Sequence, residues 1–117
     1  MTERFLEFAT RIVKIGKKLN KTYEDRHVYG QLFRAGTSAG ANYEESHSAQ
    51  SPRDFIHKRE FSLKELRESL FWLRLVEKAK FLSEKDADLI FLLKENQELI
   101  RIIAKSVSTM KKTKSNI

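Results

Sequence analysis

The chain has 117 residues, 40% of them hydrophobic and 33% charged, with a formal net charge of +7, one proline, four glycines and no cysteine. This is one domain's length, enough to bury roughly two-thirds of the unfolded surface. Lack of cysteine excludes disulfides and thiolate metal sites and is expected of a cytoplasmic protein; no apolar run approaches the ~18 residues of a membrane span.

The basic excess is uneven. Residues 1–23 carry six bases against two acids, 52–82 eight against five and 83–117 seven against five, whereas 24–51 are acidic with two against four. Such a balance favours anionic partners, nucleic acid first.

A first helix is predicted from Thr2 to Asn20, where Phe5, Phe8, Ile12, Ile15 and Leu19 recur at spacings of three and four. Arg4, Arg11 and Lys18 repeat every seven residues, with Lys14, Lys17 and Lys21 close beside them. This basic stripe reads either as a solvated helix face or as a phosphate-binding strip.

After a polar turn a second helix is expected from about Asp25 to Ser48. Val28, Leu32, Ala35, Ala39 and Asn42 form one seam; Tyr29, Phe33, Gly36, Gly40 and Tyr43 form its neighbour. Gly36 to Ala41 is a run without a bulky side chain. A glycine inside a helix costs about 1 kcal/mol relative to alanine, so the pair implies compensation by close approach of another helix. The second helix is therefore expected to be central and packed on more than one side. Arg34, Asn42, Glu44 and Glu45 exclude a membrane reading of the Gly36–Gly40 spacing.

Ser51-Pro52 marks the next start: serine caps well, and proline at the first helical position loses no hydrogen bond. The third helix is predicted from Pro52 to about Lys80, with Ile56, Leu63, Leu66, Leu70 and Leu73 as its seam. Phe61, Phe71, Trp72 and Leu75 lie off that seam and suggest a second, oligomeric interface. Glu65 and Glu68 are one turn apart and are expected to pair with Arg or Lys across a helix or protomer boundary.

Ser83 to Asp86 reads as a capping-box-like start of a fourth helix carrying Leu89, Leu92, Leu93, Asn96, Leu99, Ile100, Ile103 and Val107. From Thr109 the chain turns polar and contains Lys111, Lys112 and Lys114. The expected fold is all-α: an up-down-up-down antiparallel four-helix bundle over 1–108, followed by a basic flexible tail over 109–117.

Three stretches carry a family likeness: Leu32 to Glu45; Asp54-Phe55-Ile56-His57-Lys58 leading into Lys64-Glu65-Leu66-Arg67-Glu68 and Trp72-Leu73-Arg74-Leu75; and Glu98-Leu99-Ile100-Arg101-Ile102. In these the chain resembles the bacterial 23S rRNA intervening-sequence proteins, a structural group that also includes the accessory protein of diversity-generating retroelements. The resemblance implies a four-helix bundle that assembles into a ring, a homopentamer. The retroelement relative is understood to bind nucleic acid and a reverse transcriptase through a positive surface. The shared residues look structural, and no active site comes with them.

Three functional readings follow. A nucleic-acid-binding oligomer would use Arg4, Arg11, Lys14, Lys17, Lys18, Lys21, Lys111, Lys112 and Lys114, adding weak phosphate contacts across protomers without reading sequence. An assembly or adaptor protein would bind a protein partner such as a reverse transcriptase or a ribosome-associated factor through Phe61, Phe71, Trp72 and Leu75, which otherwise serve self-association. A metal enzyme would build on Glu44-x-x-His47, but a di-iron site needs a second such pair and two further glutamates, and His57 to Glu60 runs in the opposite order. No cofactor, metal or catalytic residue is expected.

Overall fold

The computed structural model describes residues 1–115, with side chains described through residue 113. It contains four helices: α1 (Thr2–Gly16), α2 (Tyr23–Ser46), α3 (Pro52–Lys78) and α4 (Ala87–Ser115), with no strand among the described residues. Together they fill a volume of 53 × 21 × 20 Å.

Local chemistry sets the helix starts. Thr22 caps α2 by accepting from the Asp25 N–H at 3.0 Å, while the Asp25 carboxylate reaches back to the Lys21 N–H. Ser51 caps α3 in the same way, accepting from the Asp54 N–H, with Pro52 beside it. These reciprocal bonds satisfy donors that have no partner inside the helix. The start of α4 differs from the expected box: Asp86, not Ser83, accepts from the Leu89 N–H at 3.0 Å. An aspartate beside the first turn also suits the helix dipole.

α1 ends at Gly16, short of Asn20, and continues as turns that still deliver Leu19 to the core at 1% exposure. α3 ends in a left-handed residue, Lys80 (φ 60°), with the Phe81 N–H bonded to the Val76 carbonyl and the Lys80 N–H to the Glu77 carbonyl. That pair of bonds closes the last turn and usually recruits glycine. Helix α4 runs on through the stretch from Thr109 that the sequence suggested as a tail, as far as Ser115.

Each helix packs against its neighbours in a closed circuit: α1 on α2, α2 on α3, α3 on α4 and α4 on α1, with no diagonal contact among the described residues. Phe5 of α1 meets Gly40 of α2, Ser62 of α3 meets Ala39 of α2, and Ser69 of α3 meets Asn96 of α4.

The core is a column of fully buried side chains that includes Phe8, Ile12, Leu32, Leu66, Leu73, Leu92, Leu99 and Ile103. The small residues of α2 admit neighbours on two sides. On one, Ile12 and Phe5 of α1 press onto Gly36 and Gly40. On the other, the buried Ser62 hydroxyl of α3 donates to the Ala39 carbonyl at 2.7 Å, a contact that brings α3 onto the α2 backbone.

Two polar residues on the predicted seams resolve differently. Asn42 is half-buried and bonds within its own helix, to Ser38. Asn96 is fully buried and donates to Ser69 Oγ across the α3–α4 seam at 2.7 Å. Its Oδ1 is buried without a hydrogen-bond partner among the described residues, so only the amide N–H side of Asn96 is satisfied across this seam.

Candidate nucleic-acid interface

The heptad-spaced cations Arg4 and Arg11 of α1 and Lys18 just beyond it meet acids on α4 and at its N-cap. Arg4 donates to both carboxylate oxygens of Glu95, at 3.0 and 2.6 Å. Arg11 bonds Glu7 at 2.9 Å and Asp88 at 3.3 Å and lies over the Phe91 ring. Lys18 bonds Asp86 at 2.7 Å and Asp88 at 3.1 Å. The stripe is thus half a salt-bridge ladder. Its complement was legible, since Asp88 and Glu95 are also seven residues apart.

Lys14, Lys17 and Lys21 are exposed and form no ion pair among the described residues. At the far end of the molecule Lys111 bonds Glu60 at 2.9 Å and Lys112 is exposed. The side chain of Lys114 lies outside the described residues. Among the described residues, the α1 and turn cations and Lys111 and Lys112 therefore lie in separate places.

A different basic surface emerges on α3. Lys64, Arg67, Phe71, Arg74 and Lys78 follow one another at spacings of three and four, and all five are exposed. Spacings of three and four place side chains in one row along a helix. None of these four cations has an ion pair among the described residues. Between them Arg67, Leu70, Phe71, Arg74, Leu75 and Lys78 line a shallow groove with an apolar floor and a cationic rim. The row was visible in the sequence, but the apolar off-seam residues drew the reading toward an interface.

The predicted interface residues divide. Trp72 and Leu75 are half-buried against the chain's own core. Trp72 donates to Glu68 at 3.1 Å and meets the rings of His27 and Phe71 edge-on. Phe61 (39% exposed) and Phe71 (61%) remain on the α3 surface, with Lys64 over the Phe61 ring. A second group of apolar residues, Leu6 and Val13 on α1 and Phe33 on α2, is also exposed.

Glu65 and Glu68 pair with Arg34 of α2, within one chain. Hydrogen bonds from Arg34 and then from Trp72 hold the Glu68 carboxyl below its usual range. At Asp86 burial acts to raise the carboxyl, but the bonds from Lys18 and the Leu89 N–H outweigh it and the net shift is downward. A carboxylate depressed in the folded state binds protons less readily than in the unfolded chain, so its stabilisation is complete above the ordinary value of about 4 and is lost as pH falls through the depressed one. The melting temperature should therefore hold steady from about pH 8 to 5 and fall below about pH 4. Asp86→Asn, which keeps a capping oxygen, should flatten part of that fall; an unchanged acid limb would remove the Lys18–Asp86 pair from the account.

Of the ExxH pair, Glu44 accepts from Thr2, and the His47 ring stands edge-on to Tyr43 at 4.8 Å. Among the described residues no group of three or more His, Asp or Glu is placed to hold a metal ion. No described helix is long and apolar enough to cross a membrane.

The relatives agree with this architecture. A profile of the 23S rRNA-intervening sequence proteins matches residues 1–105. Four chains of solved structure match as well. One is a protein of unknown function from the S23 ribosomal protein family of Bacteroides thetaiotaomicron, which superimposes with a TM-score of 0.82 at 31% identity, over 91% of this chain and 96% of that one. No functionally curated protein matches. With the profile covering the first three helices and most of the fourth, this chain belongs to the 23S rRNA-intervening sequence protein family.

Proposed function

We propose that the protein is a non-enzymatic, cytoplasmic, self-assembling bundle of up-down-up-down topology that binds the phosphate backbone of nucleic acid without reading its sequence. One observation carries the reading: four cations in a row on α3, Lys64, Arg67, Arg74 and Lys78, are exposed and form no ion pair among the described residues. Covering this row with an apolar surface would strip water from four charges and return nothing for them. A phosphate backbone supplies the missing charge and releases counterions as it does so. Lys14 near the end of α1 and Lys17 and Lys21 in the turn that follows it offer a second group of exposed cations.

Self-assembly draws support from the exposed Leu6 (55%), Val13 (46%) and Phe33 (41%), apolar surface that a second copy would cover while leaving the α3 row free. The family resemblance supports a ring, a homopentamer, in which each copy would add its own basic row. An adaptor for a protein partner is the second reading, and it would use the same three residues.

Anisotropy titrations against duplex DNA and structured RNA at several salt concentrations test the proposal. Binding should weaken with salt, with a log–log slope of about −3 to −4 per protomer on duplex for four phosphate contacts. Arg67→Ala with Arg74→Ala should roughly halve that slope. No binding even at low salt would end the nucleic-acid reading. Light scattering decides the rest: a multiple of the 13.7 kDa chain mass is expected, whereas a monomer would leave Leu6, Val13 and Phe33 to a protein partner.

A further inference from the structure

We infer that the α3 row selects single-stranded over duplex nucleic acid, with Phe71 and Phe61 stacking on unpaired bases while Lys64, Arg67, Arg74 and Lys78 hold the phosphates. The inference rests on the nucleic-acid reading above and adds the class of ligand to it.

Three features of the row carry it. First, the aromatic rings are interleaved with the cations: Phe71 sits between Arg67 and Arg74 in the same helical row, and Phe61 lies three residues before Lys64. Surfaces that bind single strands without sequence preference combine a positive track with aromatic rings in this manner, because every base has a π-face to stack.

Second, the rings are exposed yet anchored. Phe71 is 61% exposed but its ring meets Trp72 edge-on at 5.1 Å, and the Trp72 indole is in turn held by Glu68, itself bonded to Arg34. An anchored ring loses little freedom when a base stacks on it, which favours binding. The groove floor of Leu70 and Leu75 extends the apolar surface beneath that base.

Third, the dimensions fit a short strand. At ~1.5 Å per residue the row from Lys64 to Lys78 is about 21 Å long, close to six nucleotides at ~3.4 Å per strand step. A duplex keeps its bases stacked inside and would press Phe71 against sugar and phosphate, covering apolar surface with charge. A free strand turns its bases toward the rings and its phosphates toward the cations. An acidic polypeptide would satisfy the cations but has no bases to stack on the rings.

The test uses the full chain and three probes: a fluorescein-labelled oligothymidylate of about 12 nucleotides, within the range of roughly 4–16 for such sites, a duplex of equal length, and polyglutamate as competitor. The single strand is expected to bind about tenfold more tightly than the duplex at matched salt. Phe71→Ala should weaken single-strand binding by roughly 5- to 100-fold and change duplex binding by less than about twofold. Arg67→Ala with Arg74→Ala should weaken both. Melting curves of the variants should match the parent, because these side chains are exposed.

Equal affinity for both nucleic acids, with Phe71→Ala silent, would overturn the inference while leaving backbone binding in place. Absence of binding to either probe at low salt would overturn both. Polyglutamate displacing the strand equally well from the parent and from Phe71→Ala would make the row a general anion track and overturn the stacking role. A Phe71→Ala protein with reduced mass in light scattering would put the ring between copies of the chain, and the inference would fall.

Discussion

Gly36→Leu should lower the melting temperature by roughly 10–20 °C, a loss of about 3 kcal/mol. A Cβ at this position would lie 2.2 Å from Ile12 Cδ1 and 3.5 Å from Phe8 Cε2, and both of those side chains are fully buried. Ile12 has nowhere to retreat, so a leucine must push α1 away from α2 and expose part of the core. Removing a mid-helix glycine returns at most about 1 kcal/mol of helix propensity, too little to offset that. The neighbouring glycine provides the control. A Cβ on Gly40 meets Phe5 Cβ at 3.3 Å, so Gly40→Ala needs only a small adjustment, and the propensity gain should leave it near neutral. Thermal melts followed by circular dichroism measure both. If Gly36→Leu melted with the parent, the packing of α1 on α2 would have to be redrawn.

Arg59→Ala should cost about 2–4 kcal/mol, or roughly 7–25 °C. Arg59 is 8% exposed, and its guanidinium lies between two rings, 4.5 Å from the Tyr43 centroid and 4.3 Å from that of Phe55. Nε donates to Ser46 Oγ at 2.7 Å and Nη1 to Ser106 Oγ at 2.6 Å, so one side chain ties α3 to both α2 and α4. No carboxylate pairs with it among the described residues, and burial pulls its basicity below the usual arginine range. Ring faces and hydroxyl dipoles take the place of a counter-ion.

Truncation to alanine would leave a hole between the two rings and two serines without their donor. Arg59→Lys should recover less than half of the loss, because an ammonium cannot span both hydroxyls or lie flat between rings. Arg59→Met, which fills the space without a charge, should fall between alanine and the parent. An alanine variant as stable as the parent would show that the bridge contributes nothing net.

The two sites also separate scaffold from surface. Gly36 and Arg59 hold the four helices in place, and their replacement should be felt as stability. Arg67, Phe71 and Arg74 are exposed on the outer face of α3, and their replacement should be felt as binding with the melting temperature unchanged.

Much of the scaffold was legible beforehand. Apolar spacings of three and four located all four helices, and Ser51-Pro52 marked the α3 start that the structure shows. The glycine pair announced a close approach to α2, which α1 makes through Phe5 and Ile12. Helix ends were less legible: α1 stops at Gly16 while Leu19, still on the predicted stripe, reaches the core through a turn. Periodicity reports which side chains are buried, not whether the backbone that delivers them is helical. Arg59 and Ser62, Ser69 and Asn96 give the same lesson from the polar side. Composition marks them as surface residues, and only their partners across the seams permit burial.

By itself the sequence determined the helical class, the order of elements, the close approach to α2, the family and the overall positive charge, because each of these depends on residue type and spacing along a single chain. The tertiary structure decided where that charge is available. Arg4, Arg11 and Lys18 repeat as regularly as a binding strip would, yet Glu95 and Asp88 on α4 and Asp86 just before it neutralise them. Lys64, Arg67, Arg74 and Lys78 form no ion pair among the described residues, since α3 turns this side away from its neighbours. A charge binds an outside partner only where the fold has not already supplied one, and pairing across helices is a property of the fold that no single stretch of sequence displays.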